Sequence, residues 1–292
     1  MSCFRRIEPG LIINSNISER ATLKKPQSLT YHFEGSTIHF LQFGKGEQLL
    51  FCFHGFAENA GFILPIQKSL EEKYTVLSMD VAYHGKTRWK QDSLKFPEKL
   101  PGLLIQVAES VGFEKFSLLG FSMGGRMIFD QLERIPERIN SVYLLAPAGV
   151  LLNPFSHWFS NTKMADVLAR FLHRNPAAFR FIIDMSYRLG RMDHNFYLYI
   201  SERFKNPEKR KRINHIRNAM KRYRPDLPEI GRLSDLHGIQ VVAIFGERDK
   251  VIPKSHLMAL KENIPGCRGL LVPKSHMLVD EELNETFFSI LG

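Results

Sequence analysis

Two hydrophobic periods share this chain. Short apolar runs bounded by polar residues recur at 48–53, 74–80, 116–119, 142–146, 240–245 and 269–272, as buried strands do. Between them lie stretches with apolar residues three and four apart, near 59–72, 98–111, 125–135, 254–263 and 280–290, which predict helices. The run Gln48-Leu49-Leu50-Phe51-Cys52-Phe53 is apolar throughout after its first residue, as a central strand covered on both faces requires. Strand and helix alternate, so the expected fold class is α/β with a mostly parallel, doubly wound sheet. Ligands of such sheets sit beyond the carboxyl ends of the strands. Ahead of this pattern, Leu29–Phe33 and Thr37–Phe43 predict a β-hairpin turning at Glu34-Gly35-Ser36, with His32 and His39 expected on its wet face.

The alternation breaks between 150 and 228, where helical patterns continue without a clear strand. This stretch is rich in aromatics, including Phe155, Trp158, Phe159, Phe171, Phe179, Phe181, Tyr187, Phe196, Tyr197 and Tyr199. It also holds 16 Lys/Arg against 6 Asp/Glu, while the rest of the chain has 24 of each sign. The whole net charge of +10 therefore sits in one insertion. Leaving the sheet at a strand's carboxyl end, it is expected to lie over the crevice as a lid. The chain divides into an arm at 1–28 with no clear period, a core at 29–149 and 229–292, and a basic helical lid at 150–228.

Composition narrows the class only slightly. With 292 residues, 44% hydrophobic and 24% charged, the chain can bury a sizeable core. Cys3, Cys52 and Cys267 have neither metal-site nor disulfide-framework spacing, which points to a reducing compartment. The first twenty residues contain Leu11-Ile12-Ile13 but no apolar run of signal-peptide length, and nothing approaches the roughly 20 apolar residues of a membrane span. The expectation is a soluble, cytoplasmic protein.

The candidate chemistry centres on Gly120-Phe121-Ser122-Met123-Gly124. An apolar strand precedes it and a helical pattern follows, so Ser122 falls at a sharp strand-to-helix turn. Glycines on either side let neighbouring backbone approach closely. A serine hydroxyl there is exposed above the sheet at the positive end of a helix. To act as a nucleophile it needs a base, and the base needs an orienting acid. Among crevice loops, His276 follows the last strand and Asp249 follows the strand at 240–245. Glu247 is the second choice of acid, and Asp80, ending a central strand, reads as a loop anchor. His54 and His84 read as loop-bracing residues. His157, His173, His194, His215, His237 and His256 lie on the lid or on outer helices and loops without a fitting partner. Backbone N–H groups of Met123, opening the helix, and Phe56, after His54-Gly55, are the expected oxyanion donors; one such donor is worth roughly 3–4 kcal/mol.

This set resembles the α/β-hydrolase fold superfamily. The matching stretches, in chain order, are His54-Gly55-Phe56, Asp80 with His84-Gly85-Lys86-Thr87, the elbow Gly120-Phe121-Ser122-Met123-Gly124-Gly125, and Asp249 with His276. The resemblance covers about 29–149 and 229–292. It departs at Tyr83, where family members usually have glycine before His-Gly. It implies a Ser122–His276–Asp249 triad and acyl transfer from an ester-like carbonyl to water, with no metal or organic cofactor. The serine speaks against the epoxide hydrolase and haloalkane dehalogenase branches, which use aspartate. Lysophospholipase, thioesterase, lactonase, C–C hydrolase and cofactor-free haloperoxidase activities fit the same residues, and a non-catalytic receptor or partner-binding protein is the alternative class. The aromatic, methionine-containing lid favours a small apolar acyl or aryl ester.

The lid's charge bears on partners. Lys209–Tyr223 sets Ile213, Ile216, Met220 and Tyr223 along one helical stripe amid basic residues. The plain reading is a helix packed on the lid with a solvated basic face. The sharper one is attraction to an anionic lipid surface. No nucleic acid is expected, because no binding motif accompanies the charge. Oligomeric state is not legible.

Overall fold

The apolar runs pair into one sheet. In a computed structural model describing residues 11–13, 25–151, 163–192, 194, 197–198, 201–202, 206, 215–216, 218–220 and 223–291, nine strands form it. They are β1 (Leu11–Ile13), β2 (Gln27–Phe33), β3 (Ser36–Phe43), β4 (Gln48–Phe53), β5 (Tyr74–Met79), β6 (Phe116–Phe121), β7 (Ile139–Leu145), β8 (Gln240–Gly246) and β9 (Arg268–Val272). Their order is β1-β2-β3-β5-β4-β6-β7-β8-β9. The strands from β5 to β9 in that order pair parallel, whereas β1, β2 and β3 join antiparallel at one edge. The strand Leu11–Ile13 adds one short rung beyond the predicted hairpin, pairing Leu11 with Tyr31. The hairpin turns where predicted, with Glu34 and Gly35 at φ 44° and 77°, the left-handed geometry of a tight two-residue turn.

β4 shows why its sequence lacks alternation. Leu49, Phe51 and Phe53 enter a core on one face, with Phe40, Phe116 and Phe129. Leu50 and Cys52 enter a second core on the other, with Tyr74, Tyr143 and Phe287. Phe51 meets Phe116 edge-on at 5.1 Å between ring centroids, and in the opposite layer the hydroxyls of Tyr74 and Tyr143 bond at 2.8 Å.

Among the described residues the helices are α1 (Gln67–Leu70), α2 (Phe96–Ser110), α3 (Met123–Arg134), α4 (Lys163–Arg174), α5 (Pro176–Arg188), α6 (Leu227–Leu236), α7 (Ser255–Asn263) and α8 (Leu283–Leu291). The helix expected near 59–72 differs in kind. Asn59 caps a 3-10 segment, Ala60–Ile66, and one α-turn follows. Pro65 within it lacks the N–H that an α ladder requires. The other predicted helices appear within a few residues of their expected bounds.

His39 corrects an expectation. It is buried, not on a wet face, because the loop after β5 folds over the hairpin. Thr87 accepts the His39 N–H at 3.0 Å, and Thr37 and Arg88 exchange backbone bonds at 3.0 and 2.7 Å. His32 is half-buried.

β7 and β8 lie side by side, so the long chain between them leaves the sheet and returns. α4, α5 and α6 belong to it; α6 buries Ile230 completely in the core beside α3 and α7. The Tyr223 carbonyl accepts from Arg126 Nε of α3 at 2.7 Å. Of the expected 209–223 stripe, Ile216 and Tyr223 are buried and Met220 packs partly against the core. Ile213 and most basic residues of that stretch lie outside the described residues, as do Phe155, Trp158, Phe159, Phe196, Tyr199 and most of the 1–28 arm. Among the described residues no helix is long and apolar enough to cross a membrane.

The first turn of α3 rests directly on the end of β4. A Cβ on Gly124 would stand 2.1 Å from the Phe53 carbonyl oxygen, so Gly124→Ala is expected to cost about 3 kcal/mol or more. Gly102, exposed within α2, has open space around it, so Gly102→Ala should stabilise by up to about 1 kcal/mol. Urea unfolding of both variants checks this; equal effects would mean that the α3 contact is looser than described.

Candidate active site

Ser122 sits between β6 and α3 at φ 49°, ψ −108°, a region that non-glycine residues occupy at a cost of about 1–3 kcal/mol. The surroundings hold it there. Its N–H donates to Leu145 O at 2.9 Å, and its carbonyl accepts from Gly125 and Ala148 at 3.0 and 2.9 Å. A Cβ at Gly120 would meet Gly124 backbone at 2.6 Å, and one at Gly125 would meet Pro147 at 2.4 Å. All three glycines of the elbow are therefore packing requirements.

The structure brings the three residues chosen from sequence together. His276 Nε2 lies 3.2 Å from Ser122 Oγ, and His276 Nδ1 lies 2.8 Å from Asp249 Oδ2. His276 and Asp249 are both buried. The other oxygen of Asp249 accepts the N–H groups of Val251 and Ile252 at 2.7 and 2.8 Å. The loop carrying Asp249 thus orients its carboxylate, and the carboxylate orients the imidazole. The His276 loop is anchored from below. Gly246 lets the backbone of Lys274 and Ser275 approach within a distance no Cβ allows, and Arg248 N–H donates to Lys274 O at 3.0 Å. Glu247, the second-choice acid, bonds through its backbone to Val272 O at 2.9 Å instead.

Met123 begins α3, so its N–H belongs to the first turn, where helical N–H groups lack intrahelical partners. Phe56 lies in the loop after β4, where both flanking peptides are held. Gly55 N–H donates to Glu58 Oε2 at 2.8 Å, and Ala57 N–H donates to His84 Nε2 at 3.2 Å. Glu58 is a participant that the sequence reading missed. Its signal was present, as an acidic residue three positions after a glycine in a crevice loop.

His54 and His84 are bracing groups, as expected. His54 Nε2 accepts from Val81 N–H at 3.1 Å, while Nδ1 faces Gly55 O at 2.7 Å. His84 has the same arrangement, with Nδ1 3.0 Å from Ala82 O. Each ring is satisfied as a neutral imidazole. Burial holds His54 down to about 4, and burial together with the His54 ring 4.6 Å away holds His84 down to about 3. Asp80 is the anchor beneath them. Burial opposes its charge, but bonds from His39, Lys86 N–H and Ala60 N–H, each 2.7 Å, outweigh this and bring its pKa to about 2. A Cβ on Gly85 would stand 1.9 Å from that carboxylate, which explains the Asp80…Gly85 pairing.

Tyr83 has φ 66°, the left-handed conformation that glycine adopts more easily. Its hydroxyl donates to Gln91 O at 3.2 Å, and its ring stacks on His215 at 4.8 Å with 15° between planes. The departure from the usual glycine thus comes with a contact between the crevice loop and the inserted segment.

A sequence profile described as the alpha/beta hydrolase fold matches residues 48–283. The chain belongs to this family. Among curated family relatives, an uncharacterized hydrolase of Bacillus subtilis, YugF, is 26% identical over 119 residues, covering 40% of this chain and 44% of YugF. An uncharacterized carboxylesterase of the same organism, nap, is 41% identical over 56 residues, 19% of this chain and 18% of nap. These matches span less than half the length of either relative. Among solved structures, the enol-lactonase of Burkholderia xenovorans LB400 superposes with a TM-score of 0.67 at 17% identity, over 90% of this chain and 98% of that one.

The two bracing histidines couple stability to pH. Their native pKa values lie below the ordinary 6.5, so the unfolded chain binds protons first as pH falls, and stability drops with acid. From about pH 7 to about pH 5 the expected loss is about 4 kcal/mol for the pair, while Asp80 titrates below this window. Urea unfolding at both pH values measures it. His84→Asn should remove about half of the dependence, and an unchanged slope in that variant would contradict the assignment.

Proposed function

We propose that this protein is a serine hydrolase of carboxylic esters, working through an acyl-enzyme. The observation that carries the reading is the continuous relay Ser122 Oγ–His276–Asp249, at 3.2 and 2.8 Å, with the serine fixed in a strained turn at a helix start. In this reading His276 takes the Ser122 proton as Oγ attacks the ester carbonyl. The Phe56 and Met123 N–H groups receive the oxyanion, and His276 returns the proton to the leaving alkoxide. Water, deprotonated by the same imidazole, then cleaves the acyl-enzyme. Family membership and the relatives' names as hydrolase and carboxylesterase agree with it. The segment 150–228 is its lid, and Tyr83 against His215 ties that lid to the crevice rim. The substrate is a small ester with an apolar acyl or aryl group.

Hydrolysis of p-nitrophenyl esters of increasing acyl length tests the reading directly. Wild type should turn over with an optimum length, and Ser122→Ala should not. Retained turnover in that variant, or a wild-type serine inert to a fluorophosphonate, would refute it. Asp249→Asn is a finer probe. Because Oδ1 accepts two backbone N–H groups, the asparagine carbonyl must occupy that position and its NH2 then faces His276 Nδ1. The imidazole is driven to the tautomer with its proton on Nε2, which cannot act as a base toward Ser122, so kcat should fall by about 10⁴.

A further inference from the structure

Exposed apolar side chains concentrate on two consecutive helices. Of thirteen large hydrophobic residues exposed among the described residues, seven lie on α4, α5 and the residue capping α5. On α4 they are Met164, Val167 and Phe171, spaced three and four apart, with Phe171 53% exposed. On α5 they are Phe181, Ile182 and Met185, continued by Leu189, with Phe181 64% and Leu189 60% exposed. Such spacing normally marks the stripe a helix turns toward a core. Here both stripes face outward. The remaining exposed hydrophobics are scattered singly, which is ordinary for a protein surface.

Charge identifies what could cover this face. Arg174, Arg188 and Arg191 are exposed on and just after the same helices, and Arg180, also exposed, lies 3.8 Å from Asp184 on its own helix. From 163 to 192 the chain has six Lys/Arg against Asp166 and Asp184. The whole net charge of +10 lies in the segment containing these helices. Two copies of such a face would repel, whereas an apolar stripe edged by arginine complements an anionic bilayer, taking acyl chains on one side and headgroups on the other. The face also adjoins the candidate site. Lys250, next to Asp249, donates from Nζ to the carbonyl of Gly190 just past Leu189, at 3.3 Å. By contrast, the 209–223 stretch already spends Ile216 and Tyr223 on the core.

We propose that α4 and α5 dock this protein onto the surface of anionic lipid membranes, lying in the interface with Phe171, Phe181 and Leu189 among the acyl chains. The proposal is independent of the hydrolytic reading and is testable in Ser122→Ala as well as wild type. The experiment is vesicle co-sedimentation with phosphatidylcholine alone and with phosphatidylcholine–phosphatidylglycerol mixtures, at low and high salt. The expected result is binding to the mixed vesicles at low salt, loss at high salt, and little binding to the neutral ones. Phe181→Ser/Leu189→Ser should weaken binding at least about tenfold, and Arg174→Glu/Arg188→Glu should abolish it. Thermal melting and turnover of a soluble ester without vesicles should be unchanged in both double variants. Absent binding to the mixed vesicles, or full binding by the double serine variant, overturns the proposal. So does a wild-type dimer in light scattering that the serine variant dissolves, since the face would then be a self-interface.

Discussion

The first turn of α3 rests against the end of β4 at a distance that only glycine permits, and most of the candidate site depends on that contact. Without Cβ atoms at Gly120, Gly124 and Gly125, helix, strand and the Pro147 turn come together at distances that side chains forbid. The chain then has too little room to pass from strand to helix through relaxed dihedrals, and Ser122 takes the strain at φ 49°. The strain is held by large buried areas on both sheet faces. A nucleophile placed this way owes its position to the core, so the parts that align it are mostly remote from any substrate.

The three buried crevice histidines separate by the type of their partners. His54 and His84 each face a carbonyl on one nitrogen and accept a backbone N–H on the other. Burial holds both rings neutral, against the carbonyls on Nδ1 that favour the charged form, and the N–H aimed at each Nε2 needs an unprotonated nitrogen there. His276 instead has a carboxylate on Nδ1 and a hydroxyl on Nε2. That pairing lets a proton arrive at one nitrogen while the carboxylate steadies the resulting charge. Similar burial therefore yields two scaffolding residues and one candidate base.

What was legible in the sequence followed from strict local constraints. The elbow was readable because three glycines and a serine at that spacing have few alternative uses between a strand and a helix. Asp249 and His276 were readable because strand ends limit where crevice residues can come from. The misreadings had one distant cause and two local ones. Alternation along β3 puts His39 outward, but nothing local announces that the loop around Asp80 and Thr87 will cover it. Glu58 was overlooked because its role, bonding the Gly55 peptide, exists only after the loop closes. Pro65 was a visible signal against a regular helix at 59–72, outweighed by the periodicity around it.

The inserted segment follows a different logic from the core. In the core, apolar periodicity and burial agree along almost every element. In α4 and α5 they disagree, since helical stripes of large apolar residues are exposed. Burying such surface is the main favourable term in folding, so a stripe left in water is a cost that something else must offset. The charge distribution narrows what that is. A chain that is neutral outside 150–228 and strongly basic within it creates a directed field, not a general solubility device. Apolar and basic residues interleaved on the same helices, next to the loop that carries Asp249, make the insertion a surface with two matched requirements: an apolar layer and negative charge above it.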